Sequence, residues 1–166
     1  MVQVDDDEPA PAPAPAPRGG GRSVTRVTVG GAARSLYDVG FWGAHLGVAW
    51  GGEGPRGAWY FTVDGFGGAT DQRLATGHLQ LGFLGEGIFG RFRIGAGQRN
   101  GLFMVRRATD GSAMLVLTFG PRLTASYDLA TVGKTTVLVG ADAGVDLVLV
   151  AASAMLEGNV YLGFRF

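Results

Sequence analysis

Between Thr136 and Val150 the chain alternates with a period of two. Val137, Val139, Ala141, Ala143, Val145, Leu147 and Leu149 carry no polar side-chain atom, whereas Leu138, Gly140, Asp142, Gly144, Asp146 and Val148 mix glycine and carboxylates with apolar residues. Successive side chains of a strand point to opposite faces, so this run has one apolar face and one mixed face. A helix would scatter the valines around its axis. The pattern recurs: Leu115, Leu117, Phe119, Pro121 and Leu123 oppose Val116, Thr118, Gly120, Arg122 and Thr124. Trp42, Ala44, Leu46, Val48 and Trp50 oppose Gly43, His45, Gly47 and Ala49. Ile88, Phe92, Ile94 and Ala96 are set against Phe89, Arg91, Arg93 and Gly95.

Turn signals rich in glycine separate these runs, among them Gly51 to Pro55, Gly68 to Arg73, Gly85-Glu86-Gly87, Gly97 to Gly101, Thr109 to Ser112 and Thr131 to Lys134. They divide the chain into eight expected strands, at 35–50, 57–67, 74–84, 88–96, 101–108, 113–129, 135–150 and 155–166. Residues 23–34 fit a ninth strand, an extension of the first, or a plug. The expected domains are a tail over 1–22 and a β-barrel over 23–166. The tail joins an acidic run, Asp5 to Glu8, to a Pro-Ala tract over Pro9 to Pro17 and then to Gly19-Gly20-Gly21. Such a tract makes a stiff polyproline-type spacer with nothing to bury.

Many of these strands are long against the ~5–6 residues usual in soluble sheets. A strand crossing a bilayer at a tilt needs about 9–11 residues. No apolar run is long enough for a transmembrane helix. Alternation alone does not say which face is outside, but the charge inventory does. The chain has a single lysine, Lys134, and its mixed faces hold glycine, threonine and isolated charges. A solvated exterior would carry more. Asp64, Arg91, Arg93, Arg122, Asp142, Asp146, Glu157 and Arg165 are therefore expected to pair inside one lumen, where charges are tolerable only when matched. The apolar faces then point outward. Trp42, Trp50, Trp59, Tyr127 and Phe166 are expected in aromatic girdles, with Trp50 and Trp59 at one level and Tyr127 and Phe166 at the other.

Little in the chain points to chemistry. Fourteen Lys and Arg cancel fourteen Asp and Glu, which argues against nucleic-acid binding. No cysteine is present, and the two histidines, His45 and His78, have no serine within two residues. Both read as satisfied interior histidines. Asp142 and Asp146 lie about 13 Å apart along a strand, too far to share an ion directly. No catalytic residue, metal or cofactor is expected.

The end of the chain, Val160-Tyr161-Leu162-Gly163-Phe164-Arg165-Phe166, alternates apolar residues and finishes on phenylalanine. It resembles the C-terminal strand signal of small eight-stranded outer-membrane β-barrel proteins of Gram-negative bacteria, and the likeness extends over about 35–166. The resemblance implies an all-β, antiparallel up-and-down transmembrane barrel with short loops. It implies that the barrel-assembly machinery reads Val160, Leu162, Phe164 and Phe166, and that the lipid bilayer is the surrounding partner. An even strand count puts both termini on the periplasmic side, after removal of a signal peptide, with residues 1–22 free to meet a cell-wall or periplasmic partner. The loops depart from those of adhesive members, which are long, and this argues against a receptor role. The expected function is a structural or interaction role in the envelope, with a side-chain-filled, non-conducting lumen. The alternatives are a soluble barrel binding an apolar ligand and a lipid-modifying outer-membrane enzyme.

Overall fold

Every strand pairs antiparallel with its sequence neighbours, and the last pairs with the first. The computed structural model describes residues 21–70, 74–107, 109–149 and 153–166. These form a closed barrel of eight strands: β1 (Arg22–Leu36), β2 (Val39–Glu53), β3 (Gly57–Ala69), β4 (Leu74–Phe89), β5 (Phe92–Arg107), β6 (Ala113–Val132), β7 (Thr135–Val148) and β8 (Ser153–Arg165). Closure runs from Arg26↔Arg165 to Leu36↔Met155. It removes both sheet edges, so no strand of the wall is left without a neighbour on either side. Most of the expected tail, residues 1–20, lies outside the described residues, and Arg22 already belongs to β1.

The barrel has a terminal end, where β1 begins and β8 finishes, and a far end. Thr25 and Phe166 exchange two backbone hydrogen bonds at the terminal end. The connections there are the turns at 54–56, 90–91 and 133–134, and those at the far end follow β1, at 37–38, and β3, β5 and β7. Three turns contain only two residues, and each begins with a left-handed residue, Tyr37 (φ 53°), Gly90 (φ 65°) or Gly133 (φ 61°). The β6–β7 ladder lapses at Gly120 and Pro121, between Phe119↔Leu147 and Arg122↔Gly144. Proline has no N–H to give there.

The structure corrects three expectations about strand boundaries. Residues 23–34 are neither a ninth strand nor a plug but most of β1, the first of the eight. The runs at 88–96 and 101–108 are not two strands: Ile88 and Phe89 end β4, and residues 92–107 form β5 without a break. The glycines mistaken for a turn serve close approaches instead. A Cβ on Gly97 would strike the Phe83 carbonyl, and one on Gly101 would press on His78, Gln80 and Thr118. Gly85-Glu86-Gly87 likewise lies within β4, and the chain reverses at Gly90-Arg91.

Joining two expected strands into one reverses the direction of everything after it. For that reason the aromatic levels also need correction. Trp50, Trp59, Tyr127 and Phe166 all lie toward the terminal end, joined by Phe89 and Phe92, whereas Trp42 belongs to the far end with Tyr37. Phe92 and Tyr127 meet edge to face at 5.0 Å between centroids.

Polarity runs opposite to that of a water-soluble protein. Trp42, Leu123 and Val160 are about two-thirds exposed on the outer surface, whereas Arg99 and Arg34 are fully buried inside. The outer belt continues through Leu46, Leu81, Phe83, Ile94, Leu117 and Leu147. Inside, an apolar cluster fills the far end, with Leu36, Phe41, Phe66, Phe103, Val148 and Met155 at its centre. A second cluster of Val24, Ala49, Ala58, Tyr60 and Leu84 lies on the β1–β4 side.

Candidate functional site

The chemistry of this chain is concentrated in its lumen. Alternation sends every second side chain inward, so each strand contributes charges to a narrow common space. β3 supplies Asp64, β5 Arg93 and Arg99, β6 Arg122, β7 Asp142 and Asp146, and β8 Glu157 and Arg165, all buried. Of the expected network only Arg91 fails to point inward. It is exposed in the turn between β4 and β5, because the strand in which its phase was counted does not begin until Phe92.

In the middle of the barrel Arg122 lies 2.7 Å from Asp64 and 3.2 Å from Asp142. His45 Nε2 lies 3.0 Å from the other Asp64 oxygen. Asn159 donates to Asp142 at 2.6 Å and accepts from Arg34 at 2.9 Å. Glu157 is a hub: Arg34 approaches it at 3.3 Å, His78 Nδ1 at 3.1 Å, and Arg99 ion-pairs with it directly. Arg99 also lies 3.3 Å from Asp146, to which Gln80 donates at 2.9 Å. His78 Nε2 is 2.9 Å from the Thr118 hydroxyl.

Toward the terminal end a second network forms. Arg93 donates to both oxygens of Glu53 at 3.1 and 3.2 Å, and Arg165 to both oxygens of Asp128 at 3.1 and 2.8 Å. Arg26 donates to Glu86 at 2.6 Å and covers the Tyr60 ring at 4.7 Å from its centroid. Two-point contacts of this kind are the strong form of the arginine–carboxylate pair. A register shift between Asp128 and Ala130 marks a bulge beside this network.

Sequence reasoning did not include several members of the lumen. Arg26 and Arg34 lie in β1, over residues whose pattern fits a ninth strand, an extension of the first or a plug equally well. Arg99 and Glu86 lie in stretches read as turns. Glu53, Asp128 and Asn159 stand at or beyond expected strand limits, or among residues given no site. One signal was available: Arg93, Arg99, Phe103 and Arg107 are in phase if β5 continues through its glycines.

His78, Asp146 and Glu157 bring three potential ligand atoms within 4.8 Å of one another. Arg34, Arg99 and Gln80 already approach or donate to those same carboxylates, so the cluster suits guanidinium and amide donors rather than a metal ion. Space is equally scarce. The cavity between Arg26, Thr62, Asp64, Arg122 and Tyr161 measures about 10 Å³, close to the smallest volume that holds one water. At the far-end turn, by contrast, Asp110 is exposed. The Ser112 hydroxyl and amide donate to it at 2.7 and 3.0 Å and hold its carboxyl below the ordinary range.

Removing one partner of a buried charge network leaves the others uncompensated. Arg99→Leu should therefore lower the unfolding free energy in detergent micelles by about 3–5 kcal/mol. Arg107→Leu, which removes only the exposed pair with Asp110 at 3.4 Å, should leave the denaturant midpoint unchanged. Equal effects of the two substitutions would contradict the network described.

No family model and no curated relative matches the chain. Solved structures do. Neisserial surface protein A superposes with a TM-score of 0.60 at 12% identity, covering 88% of this chain and 97% of that one. Ail, the attachment invasion locus protein of Yersinia pestis, in complex with the heparin analogue sucrose octasulfate, gives a TM-score of 0.61 at 8% identity, covering 87% and 99%. Both are small eight-stranded outer-membrane barrels of Gram-negative bacteria. At these identities the likeness is one of fold, and the fold is the closed, antiparallel, up-and-down eight-stranded barrel.

Proposed function

We propose that this chain is an integral barrel of the bacterial outer membrane, with a packed, non-conducting lumen and a structural or interaction role in the envelope. The observation that carries this reading is the inverted polarity: large apolar side chains cover the outside while arginines and carboxylates fill the inside. An apolar belt of this extent on a monomer in water would drive aggregation, whereas acyl chains satisfy it at no such cost. A soluble barrel holding an apolar ligand would need the reverse arrangement and an open interior. The histidines of an enzyme reading, His45 and His78, are buried among Asp64, Glu157 and Thr118, with no serine among their hydrogen-bond partners.

In this reading both termini face the periplasm after removal of a signal peptide, and the chain before β1 is available to a cell-wall or periplasmic partner. Eight strands enclose only enough room for side chains, and the far-end cluster around Phe41 and Phe103 closes the remaining path. The purified chain should give no stable single-channel steps in a planar bilayer. Reproducible unitary conductance would contradict the packed lumen.

The same reading makes Val160, Leu162, Phe164 and Phe166 the strand recognised by the barrel-assembly machinery. All four project outward, and Phe166 is the last residue at the terminal end. Its deletion removes one half-exposed ring, worth at most about 1.5–3 kcal/mol. The shortened chain should refold in micelles yet fail to accumulate in the outer membrane of cells. Normal membrane levels would leave Phe166 as a packing residue only.

A further inference from the structure

The two ends of the barrel carry different charge. Each of the three turns at the terminal end contains one basic residue and no acidic one: Arg56, Arg91 and Lys134. All three are exposed, and among the described residues none of their side chains has an ion-pair or hydrogen-bond partner. The acids of this end are held inward. Glu53 and Asp128 turn toward the lumen, where Arg93 and Arg165 hold them. Arg22, at the start of β1, lies 3.2 Å from Glu53. Among the described residues, three free cations therefore stand at this end with no free acidic side chain beside them. The far end shows no such excess: Asp38 and Asp110 balance Arg106 and Arg107 among the described residues.

The cations sit just beyond the aromatic belt. Arg91 is flanked by Phe89 and Phe92, which are 66% and 55% exposed, and Arg56 lies three residues before Trp59. A cleft of about 760 Å³ opens at the same level between Trp50 and Trp59, lined by Gly51, Gly52 and Gly57 together with Arg22 and two carboxylates, Glu53 and Glu86, that Arg93 and Arg26 neutralise. Glycine is required in the lining, because a Cβ on Gly51 would strike the Trp59 carbonyl. Indole rings suit the headgroup boundary, and cations immediately beyond them reach the phosphate layer.

We infer that the ring of Arg56, Arg91 and Lys134, with the Trp50–Trp59 cleft beside it, is a binding surface for anionic phospholipid headgroups at the terminal end. The inference rests on the membrane-spanning reading above and adds to it a lipid preference and a fixed location. The ring supplies separated point charges on short turns, which suits several mobile phosphodiesters. Aromatic walls beneath hold the glycerol and upper acyl region. The acidic run Asp5 to Glu8 has the right sign to compete for the ring, so it is included in the test.

The full chain is reconstituted in phosphatidylcholine vesicles containing a trace of spin-labelled phosphatidylglycerol or spin-labelled phosphatidylcholine. The motionally restricted lipid fraction is then compared by electron paramagnetic resonance. Phosphatidylglycerol should be favoured by about threefold at low salt, and the preference should fall toward parity in high salt. It should also fall in the combined Arg56→Ser, Arg91→Ser, Lys134→Ser variant, but not in Arg106→Ser at the far end. A preference that survives the triple substitution would overturn the assignment, as would a restricted fraction with no preference. A preference seen only after Asp5, Asp6 and Asp7→Asn with Glu8→Gln would overturn it in favour of the chain's own acidic run. Absence of any restricted lipid would overturn the membrane reading itself, and the lipid surface with it.

Discussion

Six arginines, Arg26, Arg34, Arg93, Arg99, Arg122 and Arg165, share one narrow interior with seven carboxylates, Glu53, Asp64, Glu86, Asp128, Asp142, Asp146 and Glu157. Each arginine lies within ion-pairing distance of at least one of these acids. Desolvating such groups costs several kcal/mol per ion, and only dense mutual pairing offsets it. The pairs also cross the barrel. Arg99 on β5 reaches β7 and β8, Arg34 on β1 reaches β8, and Gln80 on β4 reaches both β7 and β8. The network therefore exists only when β1 and β8 have closed, and closure leaves these charges nowhere else to go. Wall and filling depend on each other.

The glycines follow from the same crowding. A Cβ on Gly140 would lie 2.6 Å from Tyr161 Cζ, and one on Gly144 would collide with the Arg99 guanidinium. Inward glycines thus make room for large side chains on neighbouring strands. Gly120 and Gly30 have a different role, since a Cβ there would strike the backbone of the adjacent strand. In a barrel this small, strands bend closely past one another, and a missing side chain is what permits it. Among the glycines of the described residues, only Gly90, Gly111 and Gly133 take a positive φ.

This dual use of glycine explains what could and could not be read beforehand. The all-β class and the inward phase of Asp64, Arg122, Asp142, Asp146 and Glu157 follow from alternation, a local property, whereas the count of eight agrees only because a missed β1 offsets a β5 divided in two. Strand boundaries depend on whether a glycine turns the chain or relieves a contact, and that is decided by residues on other strands. Gly97 and Gly101 look like turn residues in sequence, yet their neighbours Phe83, His78 and Thr118 make them wall residues. One misplaced turn hid Arg99 and placed Arg91 inside. It also exchanged the ends for Tyr127 and Phe166. β1 was obscured differently, because its outward face at Gly31 and Ala33 is too small to show a strong apolar pattern.

The central claim is that the outer belt lies in hydrocarbon and the charges do not. Trp42, Trp50 and Trp59 all project outward, Trp42 toward the far end and the others toward the terminal end. Tryptophan fluorescence of the chain in vesicles of brominated phosphatidylcholine tests this directly. The account requires blue-shifted emission that is strongly quenched, most by bromines near the headgroup and least by bromines at the chain ends. Emission at the wavelength of water-exposed indole, unchanged by bromine at any depth, would contradict it.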